Sequence, residues 1–156
     1  MAGIFFELFD MTASEPLLLT PEDFPPMIDC TGNPCEPGPI DMTPDGKLIV
    51  AGMLGGKGDC FLVDGYTGEL IRWLGVGTHD RRVWDASSVS ITPDGEYVAV
   101  ADHDHPKEVR IYRVRDDVLV KTMKVPYRPI VKFAPRGNVL AIGTWRGVTL
   151  YEFNTS

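Results

Sequence analysis

The sequence predicts an all-β protein built from repeated four-stranded antiparallel sheets, and three observations predict it. Short apolar runs alternate with turn residues throughout, and 16 Gly and 13 Pro in 156 residues supply the punctuation. The turn Thr-Pro-Asp-Gly occurs at Thr43–Gly46 and again at Thr92–Gly95, with a third relative, Ala-Pro-Arg-Gly, at Ala134–Gly137. Behind each turn the same series follows: apolar residues at the third to fifth positions after the glycine, then a small residue at the sixth, which is Gly52, Ala101 and Gly143.

Taken in chain order, the first element is "IFFELFD", Ile4–Asp10, an apolar and aromatic strand at the head of an N-terminal region, residues 1–37. The rest of that region is rich in proline and has no sustained period, so it reads as an extended arm with Leu17, Leu18, Leu19 and Phe24 as candidate anchors. Residues 38–156 hold three units, 38–75, 86–125 and 129–156. Each opens with a lead-in strand ("GPIDM", "SVSI", "PIVKF"), turns at the glycine, and continues through a second strand and a third ("CFLVD", "VRIYRV", "VTLYEF"). The first two units add a fourth strand, "ELIRWLG" and "VLVKTMKV", whereas the chain reaches Ser156 just after the third strand of the last unit. The turn chemistry has a physical basis: proline presets φ, Asp bonds back to the backbone, and glycine accepts the positive φ that a hairpin between twisted strands requires.

The turn glycines lie 49 and 42 residues apart, against a period of about 40 to 45 for the four-stranded blades of a propeller. On the Thr-Pro-Asp-Gly turns and on "FLVDGYTGELIRWLG", residues 38–156 resemble β-propeller repeats of the WD-repeat or YVTN type. The resemblance implies propeller blades, about three of them, in an incomplete ring. The sequence departs from the pattern at Arg136, which stands in place of Asp, and no Trp-Asp pair ends a third strand. Propellers close with typically about 4 to 8 blades, so three blades need a partner. Ile4–Asp10, carrying Phe5, Phe6 and Phe9, is the candidate for the missing outer strand, in its own chain or a neighbour's. Two chains about a two-fold axis would make a six-bladed ring, and docking in a hetero-complex is the alternative.

Composition narrows the function. At 44% hydrophobic residues the chain can form one domain with a real core. A net charge of −7 argues against nucleic acid and anionic membrane as general partners. No run approaches the roughly 18 apolar residues of a membrane span, and "MAGIFFELFD" lacks a secretory signal; a cytoplasmic location is expected. Three cysteines cannot all pair; Cys60 is expected in the core, and Cys30 and Cys35, in "CTGNPC", are expected as free or buried thiols, with a local disulfide as the alternative.

Strand order puts the loops between second and third strands, and those between units, at one end. Spacing assigns the seven extra residues of the first unit to that end, in "GVGTHDRRVWDAS". Arg81, Arg82, Trp84, Tyr127, Arg128, Trp145 and Arg146 collect there, and Trp, Tyr and Arg are the usual anchors of protein contacts. Metal binding by His79, His103 and His105 is the weaker alternative at the same end. "LGGKGD" lacks the full phosphate-loop pattern, and no catalytic constellation stands out. The expected role is a non-catalytic protein-interaction subunit with no cofactor. The competing class is a small enzyme or ligand-binding subunit that uses the histidine-rich end.

Overall fold

A computed structural model describes residues 9–10, 12, 14–15, 17–18, 37–53, 59–76, 86–102 and 107–154, and every regular element in them is a β-strand. Two short strands come first, β1 (Phe9–Asp10) and β2 (Leu17–Leu18), paired antiparallel with each other. The first sheet follows as β3 (Pro37–Met42), β4 (Leu48–Met53), β5 (Cys60–Asp64) and β6 (Leu70–Leu74). The second is β7 (Ala86–Ile91), β8 (Tyr97–Asp102), β9 (Glu108–Arg113) and β10 (Val118–Lys124). The third holds β11 (Ile130–Phe133), β12 (Val139–Thr144) and β13 (Gly147–Glu152). In all three the strands lie side by side in chain order and antiparallel, and none of the sheets closes on itself. The expected strands of the three units are all present. Among the described residues no helix is long and apolar enough to cross a membrane.

Of the expected N-terminal strand, Phe9–Asp10 is described and pairs with Leu17–Leu18, a partner close in sequence that closes only a short loop. Residues 4–8 lie outside the described residues.

The tight turns explain both the repeated motif and its departure. Thr43 Oγ donates to Asp45 Oδ1 at 2.7 Å, Asp45 Oδ1 accepts Lys47 N–H at 3.1 Å, and Thr43 Oγ accepts Leu48 N–H at 3.1 Å. Thr92 and Asp94 repeat this at 2.6, 3.0 and 3.0 Å with Glu96 and Tyr97. In the third turn the two backbone bonds remain, from Gly137 N–H to Ala134 O and from Ala134 N–H to Val139 O, both at 2.8 Å. Ala134 has no hydroxyl to give, so an aspartate at Arg136 would lose its main partner. All three glycines sit at φ of 72 to 75°, where a side chain is strained.

Alternation along the strands sorts side chains onto two faces of each sheet. Val50, Cys60, Leu62 and Leu74 of the first sheet pack in one cluster with Val89, Ile91, Val98, Val100 and Tyr112 of the second. The opposite face of the second sheet, with Ala99, Ala101, Val109 and Ile111, packs on Val131, Phe133, Leu140 and Ile142 of the third. Every residue of β8 is buried as a result. Cys60 is in the core as expected, and burial pushes its thiol up. Phe153, just past β13, ties the third sheet to the second through ring contacts with Tyr97 and Phe133, at 5.1 and 5.4 Å.

A polar relay links β3, β7 and β11, the first strands of the three sheets. Asp41, five residues before Gly46, accepts Ile91 N–H at 3.0 Å and Ser90 Oγ at 2.9 Å through Oδ2. Ser90, five before Gly95, in turn accepts Phe133 N–H at 3.0 Å. The equivalent residue of the third sheet is Lys132, which has no lone pair to pass on and donates back to Asp41 instead. Burial raises the Asp41 carboxyl, but Lys132, Ile91 N–H and Ser90 outweigh it and hold the group below its ordinary value.

Candidate interaction surface

The two ends of this stack differ. On the first sheet, the face turned away from the second carries Ile49, Ala51, Met53, Phe61 and Val63, all buried, with Leu70 and Trp73 packed against them. Its first strand, β3, is open there at Ile40 and Met42. On the third sheet, the face turned away from the second is open across its width. The register aligns Ile130, Gly143 and Val148 in one row and Lys132, Ala141 and Leu150 in the next. Ile130 is 66% exposed, Val148 72% and Leu150 69%.

The glycines mark how closely each face is approached. A Cβ on Gly52 would come within 2.8 Å of the Ala86 side chain of the second sheet, so the glycine lets the next sheet approach. At Gly143, its counterpart, a Cβ would meet nothing closer than Ile130 O at 3.9 Å. The room is the same and is open.

Four sequence-predicted residues, Tyr127, Arg128, Trp145 and Arg146, flank one end of the third sheet. Ile130 pairs with Gly143 and Thr144 with Gly147, so the segment before β11 and the β12–β13 turn are neighbours. Arg128 and Lys107 lie over the Tyr127 ring at 5.3 and 5.4 Å, and Arg146 lies over the Trp145 ring at 4.9 Å. Lys107 and Arg128 sit at φ of 57 and 56°, a region uncommon for residues other than glycine. Trp145 is 71% exposed, so it is not packed beneath a loop. Stacked aromatic and guanidinium groups of this kind suit protein contacts. Arg81, Arg82, Trp84, His79, His103, His105, Phe5, Phe6, Cys30 and Cys35 lie outside the described residues, and Phe9 is placed only as part of β1. No cluster of three or more metal-ligating side chains occurs among the described residues.

Sequence reading missed a buried polar group between the first and second sheets. Tyr112 hydroxyl donates to Asp59 Oδ2, Arg110 Nη1 stands 3.6 Å from the same oxygen, and Arg110 Nε is 2.6 Å from Glu108 Oε1. Burial pushes the Asp59 carboxyl up to about 7; Tyr112 and Arg110 oppose the rise, while Asp102 and Asp117 add to it. Such a group holds or releases a proton near neutral pH. The one sequence signal for it is Arg110, a cation inside the otherwise apolar start of "VRIYRV".

The fold and this open face define a repeat protein of stacked antiparallel sheets. No protein-family model and no curated protein matches the chain. Solved structures do match, 549 chains in all. One is hydrazine synthase from Kuenenia stuttgartiensis, with a TM-score of 0.61 and 22% identity over 74% of this chain and 32% of that one. The chain thus spans about a third of the length of that protein, and the likeness is one of fold.

Proposed function

We propose that the three sheets are consecutive blades of a β-propeller of the WD-repeat or YVTN type. In this reading the chain is a non-catalytic interaction and structural subunit, completed by a second copy or by docking in a larger protein assembly. The observation that carries the reading is the open face of the third sheet. Small residues on β12 and aliphatic residues on β13 repeat the composition that the second sheet buries at 0 to 1%, Ala99 and Ala101 beside Val109 and Ile111. Burial is worth about 25 cal/mol per Å² of apolar surface, so such a face favours association. The partner is a protein and not a nucleic acid, in keeping with the net charge of −7, and the setting is the cytoplasm. The exposed pairs Tyr127–Arg128 and Trp145–Arg146 supply rim contacts.

The test is the molar mass and composition of the native particle by light scattering and mass spectrometry. Twice 17.2 kDa supports the six-bladed dimer, and a stoichiometric protein partner supports the hetero-complex. A lone monomer at working concentration overturns both. The buried Asp59–Tyr112–Arg110 group favours a second reading, a small enzyme or ligand-binding subunit. A chain isolated alone with a bound metal or small molecule would support that one.

A further inference from the structure

The two complete sheets each carry a fourth strand on the outer side of the third, β6 on β5 and β10 on β9. In the third sheet β13 holds the third place and, among the described strands, pairs only with β12. Its open edge can be read residue by residue. Phe153 N–H donates to Asn138 O at 2.8 Å, and in an antiparallel ladder bonded pairs alternate with non-bonded ones. Through the register, Gly147, Thr149 and Tyr151 therefore direct their backbone groups to β12, while Val148, Leu150 and Glu152 direct theirs outward. Three consecutive outward N–H and C=O pairs are a template for strand addition.

Beside this edge runs a groove shared with β10. It has two depressions, one of about 290 Å³ lined by Lys121, Arg113 and Glu152 among others, and one of about 190 Å³ lined by Lys124, Arg146 and Tyr151 among others. Arg113 is engaged by Asp116 at 2.8 Å, which leaves Lys121, Lys124 and Arg146, all exposed, against the single carboxylate of Glu152. A chain of net charge −7 thus lines this groove with cations.

We infer that the β13 edge takes up, as a fourth strand, an extended segment of a partner protein that carries carboxylates on alternate residues. Thr149 stands opposite Ile142 and Tyr151 opposite Leu140, and both partners face the second sheet. Residues of the incoming strand opposite Thr149 and Tyr151 share that face, so their side chains enter the groove beside Lys121, Lys124 and Arg146. The described part of the N-terminal strand is already engaged with Leu17–Leu18. The inference rests on the interaction-subunit reading and adds to it the place and the chemistry of contact.

Fluorescein-labelled peptides with Val and Thr on one face and Glu, Gln or Lys on the other, titrated against the full chain by fluorescence anisotropy, test it. The Glu peptide is expected to bind at least about tenfold more tightly than the Lys peptide, from a few partly exposed ion pairs, with the preference lost at high salt. Leu150→Pro removes an outward N–H but none that serves β12, as proline on an edge strand allows, and should abolish binding. The triple charge reversal Lys121→Glu, Lys124→Glu, Arg146→Glu touches only exposed side chains and should invert the preference, which keeps the test decisive if the proline variant fails to fold. Equal affinity for Glu and Lys peptides, or binding that survives Leu150→Pro in a folded chain, overturns the inference. So does tighter binding of a peptide of residues 4–10, which would assign the edge to a second copy. A native particle that contains a partner while the Glu peptide fails overturns this inference alone; a lone monomer that ignores every peptide overturns the interaction reading as well.

Discussion

The second and third sheets are written on one template and live in different surroundings. In the second, Ala99 and Ala101 on β8 stand beside Val109 and Ile111 on β9, all but excluded from solvent. In the third, Ala141 and Gly143 on β12 stand beside Val148 and Leu150 on β13, with the two large side chains open. The residues are alike; only the second has a sheet stacked on this face. In the proposed reading, the third sheet carries the pattern of a covered face on a face that is open.

Truncating the same position in each sheet should break that comparison most strongly. Ile111→Ala is expected to cost about 2–5 kcal/mol, the usual loss for a buried aliphatic side chain. Leu150→Ala in the isolated chain should stay within about 0.5 kcal/mol, as exposed substitutions do. Urea unfolding measures both, and equal losses would mean that the third sheet's outer face is covered in solution.

The Asp59 carboxyl, between the first and second sheets, carries the next effect. Its folded value of about 7 lies above the ordinary 3.8, so the folded chain holds the proton more tightly than the unfolded one. This contribution is fully present below the ordinary value and is lost as pH rises through about 7. Asp59→Asn should flatten the fall in stability across that window, a difference on the order of a few kcal/mol. Asp45, Asp64 and Asp116 are held below their ordinary values and act in the opposite sense, at lower pH. Urea midpoints measured across the window decide it, and an unchanged slope in the variant would remove Asp59 as the cause.

The smallest effect comes from the paired glycines. Gly52→Ala forces a Cβ against Ala86 and should cost about 1–3 kcal/mol. Gly143→Ala enters open space and should be neutral or slightly stabilising in the isolated chain, while weakening association by filling the same room. Thermal melts and native mass, taken together, separate the two outcomes.

The strands of the three units were readable because alternation and turn chemistry are local. Even the departure at Arg136 had a local cause, since Ala134 beside it removes the hydroxyl that an aspartate would bind. Tyr127–Arg128 and Trp145–Arg146 flank the same end of the third sheet, because antiparallel order fixes which turns share an end. The Asp59–Tyr112 contact was not readable, as residues 53 positions apart in different sheets meet only through stacking. The pairing of β1 with β2 escaped for a different reason: two residues per strand leave no alternation to recognise.

The relay through Asp41 and Ser90 has a consequence for hydrogen exchange. The amides of Ile91 and Phe133 point away from their own ladders and are held by side chains of the preceding sheet. Deuterium can reach them when two sheets part, even while each sheet keeps its own strands paired. They are reporters of separation between layers, distinct from amides inside a ladder, and Lys132 marks where that series of reporters stops.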